Sequence, residues 1–239
     1  MLKIITIVSS LVLGTLAPQT GLPNQQFDSV VVEKHAEVIL IPDGLDKIRC
    51  FSGEMEIAAS EVTLIENGKL HINPGVRKDV KVEVHFKSLS EISVAEDARV
   101  MLYELTQEQQ ISIRLDQNAI FSGRVNCEKV AITAGNGCFF QLTIHASELI
   151  TNVAKDCKAR LGGIVKRAVI HAGDTSQVNA LAMRAEKATV STTGTAKIRT
   201  NVSGRITADL DPESSLTCSG KDKKGRDDHQ TEAFVVLVN

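Results

Sequence analysis

Apolar segments of similar pattern recur along this chain at intervals of about nineteen residues. Within each segment, apolar and polar residues alternate with a period of two, which is typical of a β-strand with one buried face. Glycine, threonine and asparagine interrupt the pattern too often for a helical repeat. The segments begin at Ile92, Ile111, Val130, Leu149, Ala168, Ala188 and Ile206. Successive starting positions thus differ by nineteen four times, then by twenty and by eighteen.

A repeat of this length cannot bury its own apolar face, so it predicts a solenoid whose stacked coils share one core. Two or three short strands in each coil describe a parallel β-helix, and the usual crossover preference makes it right-handed. The fold prediction is therefore all-β: a right-handed parallel β-helix with coils of about nineteen residues. Residues that tolerate a left-handed backbone mark its corners: Asp97, Asp116, Gly135, Asn136, Asp156, Gly173, Asp174, Gly194 and Asp211.

The chain divides into three predicted parts. Residues 1–20 contain an apolar run from Ile4 to Ala17 after a single lysine, which predicts a signal peptide or an uncleaved anchor. Residues 26–90 contain strand patterns that are out of phase with the later repeat, so they predict an N-terminal β module that caps the first coil. Residues 91–239 form the predicted β-solenoid, in which a capping strand follows the charged loop 221–230.

Composition and charge exclude some functional classes. The chain has 27 basic and 29 acidic residues and a formal net charge of -2, without a long run of one sign. A dedicated nucleic-acid-binding protein usually shows a basic face, so no nucleic-acid partner is predicted. Aromatic residues make up only 3% of the chain, so platforms for stacking sugars or bases are not indicated.

The five cysteines do not resemble a disulfide framework, because their number is odd and no CxxC pair occurs. Cys138 and Cys157 fall at the same inward position of successive repeats, in a column of small residues. Buried thiols that fill a narrow corner are the favoured interpretation. A disulfide between stacked neighbours and a metal site remain the alternatives. The column is Val100, Ala119, Cys138, Cys157, Ser176, Ala196 and Ser214.

No residue pattern predicts a catalytic, cofactor-binding or metal site. The corner series of Asp97, Asp116, Asn136, Asp156, Asp174 and Asp211 suits either turns or calcium ligands, but the nonapeptide calcium motif does not occur. The six histidines have neither HExxH nor HxH spacing, and GxSxG is missing. They are His35, His71, His85, His145, His171 and His229. Outward arginines at 114, 160, 184 and 199 do not align with a carboxylate cluster of the kind that β-helix glycosidases use.

Three stretches resemble a known family: FDSVVVEKHAEVIL, KLHI and KVEVHFKSLSEISVAEDARV, followed by the repeating turns. The family is the auto-transporter adhesin head GIN domain, a domain of unknown function in exported proteins of Bacteroidetes-type bacteria. The resemblance spans roughly residues 27–219. It implies an exported, two-module β-solenoid without catalytic residues. The corners of this chain contain less glycine than the family leads us to expect, and no cysteine for a lipid anchor follows the apolar run.

The functional prediction is a non-catalytic exported β-solenoid that acts as an envelope or surface binding module, similar to an adhesin. A carbohydrate-active β-helix enzyme, either a polysaccharide lyase or a hydrolase, is one alternative. A self-assembling structural protein of the envelope is the other, and homo-oligomers stay open. The predicted partner is a protein or glycan of the envelope, and membrane contact is limited to the N-terminal segment. The predicted location is the periplasm, the outer membrane or the cell surface.

Overall fold

A computed structural model describes residues 26–77, 79–220 and 234–238. The predicted signal segment 1–20 and the charged loop 221–230 lie outside these residues. The described strands are β1 (Ser29–Val32), β2 (Glu37–Ile41), β3 (Lys47–Ser52), β4 (Met55–Ile57), β5 (Thr63–Glu66), β6 (Lys69–Ile72), β7 (Val80–His85), β8 (Glu91–Val94), β9 (Arg99–Thr106), β10 (Ile111–Leu115), β11 (Ile120–Ala134), β12 (Phe139–Val153), β13 (Lys158–Ala172), β14 (Gln177–Thr192), β15 (Lys197–Asp209), β16 (Ser215–Ser219) and β17 (Phe234–Val238).

The strands form a parallel β-solenoid with two long faces, which confirms the predicted all-β fold. The first face stacks β7, β2, β9, the first halves of β11 to β15, β16 and β17 in this order. The second face stacks β6, β1, β8, β10 and the second halves of β11 to β15. A corner joins the second face of one coil to the first face of the next. The right hand of the coiling stays a prediction.

The predicted spacing is wrong for the first pair of segments. Ile92 pairs with Ile113, not with Ile111, so this coil is two residues longer than predicted. The shift is an even number, and therefore Ile92 and Ile113 both still point inward. The predicted spacing holds from there on: Val130 pairs with Ile111, and Leu149 pairs with Val130.

The N-terminal coil is inserted between two coils that follow it in the sequence. Strand β1 pairs in parallel with β6 on one side and with β8 on the other. Strand β2 is likewise flanked by β7 and β9. The inward residues Val30, Val32, Val38 and Leu40 join the same buried cluster as the later coils. Much of segment 26–90 therefore continues the stack, while the predicted domain boundary at residue 90 stays a prediction.

Antiparallel strands cover the N-terminal end of the stack. Strand β3 pairs with β7 and with β4, and β5 pairs with β6. A short 3-10 helix, Ala59–Glu61, connects β4 to β5. Such a cover protects the open edge of the terminal coil from pairing with another chain. In the described part of the chain, no helix is long and apolar enough to cross a membrane.

The corners adopt the left-handed backbone that the sequence predicts, but often without glycine. Lys34, Glu96, Gln117 and Lys155 all have φ between 51° and 56°, a region that such side chains rarely occupy. Hydrogen bonds between stacked corners offset this strain. The Gln117 carbonyl, for example, accepts the Asp97 N–H at 2.9 Å. This bonding explains why the corners contain less glycine than the family resemblance implies.

Candidate binding surface

Two columns of outward side chains run across the coils on the first face. Within a strand they are two residues apart, and across the coils they are one strand spacing apart, roughly 4.8 Å. The columns are apolar in part near the N-terminal coils and basic further along the stack. The first contains Lys81, Glu37, Arg99, Ile120, Phe139, Lys158, Gln177, Lys197 and Ser215; the second contains Glu83, Ile39, Met101, Ser122, Gln141, Arg160, Asn179, Arg199 and Thr217.

An apolar patch, defined as Ile39, Met101, Tyr103 and Ile120, lies on this face. Met101 pairs with Ile39 and is 45% exposed, and Tyr103, two residues further on β9, is 54% exposed. Single exposed apolar residues are common on soluble proteins, but adjacent ones mark contact surfaces more often. The patch is therefore suited to contact with a partner.

A basic cleft of about 240 Å³ follows further along the same face. Its walls are Lys158, Arg160, Lys197 and Arg199, and all four side chains are exposed. Gln177 and Asn179 lie between these cations, Ala159 and Val178 form the floor, and Phe139 lies at one end. The Arg160 guanidinium is 5.5 Å from the centre of the Phe139 ring.

The cations of the basic cleft have no acidic partners among the described residues. Ion pairs within 4.0 Å involve other basic residues, such as Arg114 with Glu91 and Lys129 with Glu148. Within residues 26–77 and 79–220, no carboxylate lines the cleft. The cleft therefore concentrates positive charge that is available to an anionic ligand.

The corner carboxylates hold the corners together. Asp116 Oδ1 accepts hydrogen bonds from the Gln117 N–H at 2.9 Å and from the Asn136 side-chain amide. Asp174 Oδ2 accepts the Lys155 N–H at 3.0 Å. Among residues 26–77 and 79–220, no three His, Cys, Asp or Glu side chains are grouped closely enough to hold a metal ion. The contacts thus account for these carboxylates as turn-stabilising groups.

Cys138 and Cys157 are stacked, buried and free. Cys138 Sγ donates to the Gly135 carbonyl at 2.9 Å, and its backbone N–H donates to Cys157 Sγ at 3.2 Å. The interaction between the two thiol side chains, together with burial, raises the pKa of Cys138. The same interaction lowers the pKa of Cys157, and the Cys138 backbone N–H acts in the same direction, although burial opposes them. The structure thus favours the packed-thiol interpretation.

The column that contains these thiols is made of small residues, and one of its predicted members was wrong. Val100 does not belong to it, because Val100 pairs with Phe121 and Ala98 takes its predicted place. Ser176 and Ser214 occupy equivalent positions, and each hydroxyl donates to the carbonyl three residues earlier, at 2.6 and 2.7 Å. Cys138 makes the same bond with its thiol. A narrow corner therefore selects small side chains, and those with a donor bond to the carbonyl three residues earlier.

The described histidines do not form a shared site. His35, His145 and His171 are exposed, and His71 and His85 are partly buried. The predicted His229 lies outside the described residues. His85 Nδ1 lies 2.7 Å from Asp43 Oδ2, and this hydrogen bond lowers the pKa of Asp43.

Sequence analysis missed one contact between a histidine and a serine. His171 Nδ1 hydrogen-bonds with Ser191 Oγ, one coil further along the second face. On the other side of His171 the stacked neighbour is Asn152, and Asp209 stacks beyond Ser191. No carboxylate of this column thus neighbours His171 directly, unlike the base in a Ser-His-Asp triad. The shared repeat position of residues 171 and 191 was the available signal.

A second cleft, of about 730 Å³, lies at the bend between the two faces. Glu108, Glu128, His145 and Lys166 line it. Glu128 Oε2 accepts a hydrogen bond from Ser147 Oγ at 3.2 Å. Two carboxylates and a histidine therefore line this bend cleft together. The enzymatic alternative would use such a set of residues.

The outward arginines separate into different environments. Arg160 and Arg199 share the basic cleft, whereas Arg114 forms an ion pair with Glu91 at 3.1 Å on the second face. Arg184 pairs with Ile164 outside the cleft. Sequence analysis missed Lys158 and Lys197, although each precedes a cleft arginine by two positions and the two lysines lie two coils apart in the chain.

Comparisons with known proteins agree on one fold. The family model described as "Putative auto-transporter adhesin, head GIN domain" matches residues 26–221. A solved structure of a "putative lipid binding protein" from Parabacteroides distasonis has a TM-score of 0.71 at 14% identity, and the match covers 92% of this chain and 95% of that one. A "putative adhesin" from Parabacteroides merdae gives a TM-score of 0.66 at 12% identity, with the same coverages. A "putative adhesin" from Parabacteroides distasonis gives 0.68 at 11% identity, with 91% and 95% covered. No curated protein matches the chain.

Proposed function

Because the chain belongs to the auto-transporter adhesin head GIN domain family, we propose that it is an exported, non-catalytic binding module of the cell envelope. The family and its solved relatives are described as adhesins or as a lipid-binding protein, and none of those reported above is described as an enzyme. The module acts by contact with a partner and leaves that partner chemically unchanged. Its place is the periplasm, the outer membrane or the cell surface.

The observation that carries this proposal is the composition of the first face. The apolar patch lies on the same face as a cleft with four exposed cations that have no acidic partners among the described residues. Interfaces combine apolar contact with a charged rim in this way. Both features lie on parallel strands that a continuous core supports, so the surface is rigid before binding.

The test is a binding screen on immobilised glycans and isolated outer-membrane fractions. The double variant Met101→Ser/Tyr103→Ser removes the two most exposed side chains of the apolar patch. The control Met55→Ser/Leu64→Ser removes two side chains that are similarly exposed, at 72% and 59%, on the N-terminal cover. We expect the first variant to weaken binding and the control to retain it. Equal binding by both variants would contradict the assigned face.

The same screen tests the enzymatic alternative. Acidic and neutral polysaccharides are incubated with the protein, and new reducing ends and unsaturated products are measured over hours. We expect no turnover. Turnover that Glu128→Gln abolishes would place a catalytic site in the bend cleft and would overturn the non-catalytic proposal.

A further inference from the structure

We propose that the basic cleft binds an acidic polysaccharide, whose carboxylate or sulfate groups contact Arg160, Arg199, Lys158 and Lys197. This inference rests on the proposed binding function and adds a ligand class to it. The cleft is formed by exposed side chains of β13, β14 and β15, which are three consecutive strands of the first face.

The cations are arranged as a rectangle. Lys158 and Arg160 are two residues apart on β13, roughly 6.6 Å along the strand. Lys197 and Arg199 repeat this pair two strands away, roughly 9.6 Å along the stack, because Gln177 and Asn179 of β14 lie between them. A ligand with a single charge satisfies only part of this arrangement. A polymer with anionic groups at regular intervals can engage both rows.

The residues between the cations favour a sugar over a lipid. Gln177 and Asn179 each offer an amide donor and acceptor, which suit the hydroxyl groups of a sugar ring. The floor is formed by Ala159 and Val178, both buried, so the cleft has no deep apolar pocket for an acyl chain. Phe139 at one end provides one ring for stacking, which is less than single-stranded nucleic-acid grooves use.

The neighbouring charges are compatible with an anionic ligand. Acidic residues lie in the corners that precede β13, β14 and β16, namely Asp156, Asp174, Asp211 and Glu213. Asp156, Asp174 and Asp211 accept hydrogen bonds within these corners. The four cations of the cleft make no ion pair within the described part of the chain. Their positive potential is therefore retained at the surface.

The experiment measures binding of polygalacturonate, with neutral dextran as the uncharged probe. Phosphatidylglycerol vesicles and a single-stranded DNA oligonucleotide are the competing anionic probes. The test variant is Arg160→Gln/Arg199→Gln. The matched control is Lys187→Gln/Arg205→Gln, which removes the same charge from two exposed, stacked residues outside the cleft. Thermal unfolding verifies that both variants are folded.

We expect polygalacturonate to bind, dextran not to bind, and affinity to fall as salt rises. The test variant should bind roughly tenfold or more weakly, because it loses two charge-assisted contacts, and the control should stay within about twofold. The proposal is overturned if the test variant binds as the unaltered protein does, if dextran binds equally, or if vesicles or DNA bind in preference. If only this proposal fails, binding that depends on Met101 and Tyr103 remains. If the general binding function fails, neither that binding nor binding of polygalacturonate is seen.

Discussion

The backbone of Gly163 lies directly against the carbonyl oxygen of Ile144 on the preceding coil. A Cβ atom at Gly163 would be 2.1 Å from this oxygen, and the Gly163 φ of +105° is a conformation that other residues rarely adopt. Both effects oppose any side chain at this position. We therefore predict that Gly163→Ala lowers the free energy of unfolding by about 3 kcal/mol or more, as measured by urea denaturation.

The adjacent Gly162 is the matched control for this prediction. A Cβ atom there would lie 3.7 Å from its closest neighbours, Ala182 Cβ and the Ala182 carbonyl oxygen, which is an ordinary contact. Gly162→Ala should change stability by less than about 1 kcal/mol. Equal losses in the two variants would show that the bend does not depend on the contact with Ile144.

The alternation of apolar and polar residues predicted the coils well. It could not predict the order in which the first coils stack. The alternation around Ile113 and Ile132 identified buried strands, because inward residues repeat every second position. The interval before Ile113 was misassigned because a slip of two residues keeps the same face buried. The insertion of β1 between β6 and β8 depends on pairing over long sequence distances, which no local pattern encodes.

The binding surface was only partly predictable for a related reason. Arg160 and Arg199 were recognised as outward residues, but their neighbours across the coils depend on the register. Once the register is known, Lys158 and Lys197 complete the cleft. The apolar patch could not be found in the repeat, because Ile39 reaches Met101 only through the inserted coil.

Cys138 provides a test of the packed-thiol interpretation. Its thiol donates to the Gly135 carbonyl as the Ser176 hydroxyl donates to the Gly173 carbonyl in the same column. Cys138→Ser therefore keeps a donor of similar size, and we predict a loss of less than about 1.5 kcal/mol in stability. Urea denaturation with and without reductant measures this loss. A loss of about 2–4 kcal/mol that occurs only without reductant would instead indicate a disulfide with Cys157.

Cys50 makes the stability of the folded protein depend on pH in the alkaline range. Burial, with smaller contributions from Glu56 and Glu61, raises the pKa of this thiol from 9.0 to about 12. The folded state therefore keeps the proton where the unfolded state releases it. Stability from this group is complete below pH 9 and decreases as pH rises toward 12, by at most about 1.4 kcal/mol per pH unit.

The measurement for Cys50 compares unfolding free energies at pH 8.5 and 10.5 in the unaltered chain and in Cys50→Ala. Lysines, the tyrosine and the other thiols titrate in both proteins. The difference between the two proteins in how unfolding free energy changes with pH therefore isolates Cys50. We predict a shallower decrease in the variant. Parallel slopes would show that Cys50 ionises equally in the folded and unfolded states.

The inserted N-terminal coil makes the first part of the stack dependent on residues 26–42. Strand β1 is the sole described link between β6 and β8, and β2 has the same position between β7 and β9. Without this coil, the flanking strands would be two spacings apart, roughly 9.6 Å, which is too far for hydrogen bonds. We predict that a chain starting at Asp43 unfolds at lower urea concentration than one starting at Gln26 and is cleaved by protease between residues 43 and 106.

A synthetic peptide of residues 26–42 is the complement to this truncation. The peptide should restore protection from protease, because it supplies the missing pair of strands to the chain that starts at Asp43. If the chain from Asp43 alone resists protease as the longer chain does, the inserted coil is dispensable. The first coils would then hold together without the pairing of β1 and β2.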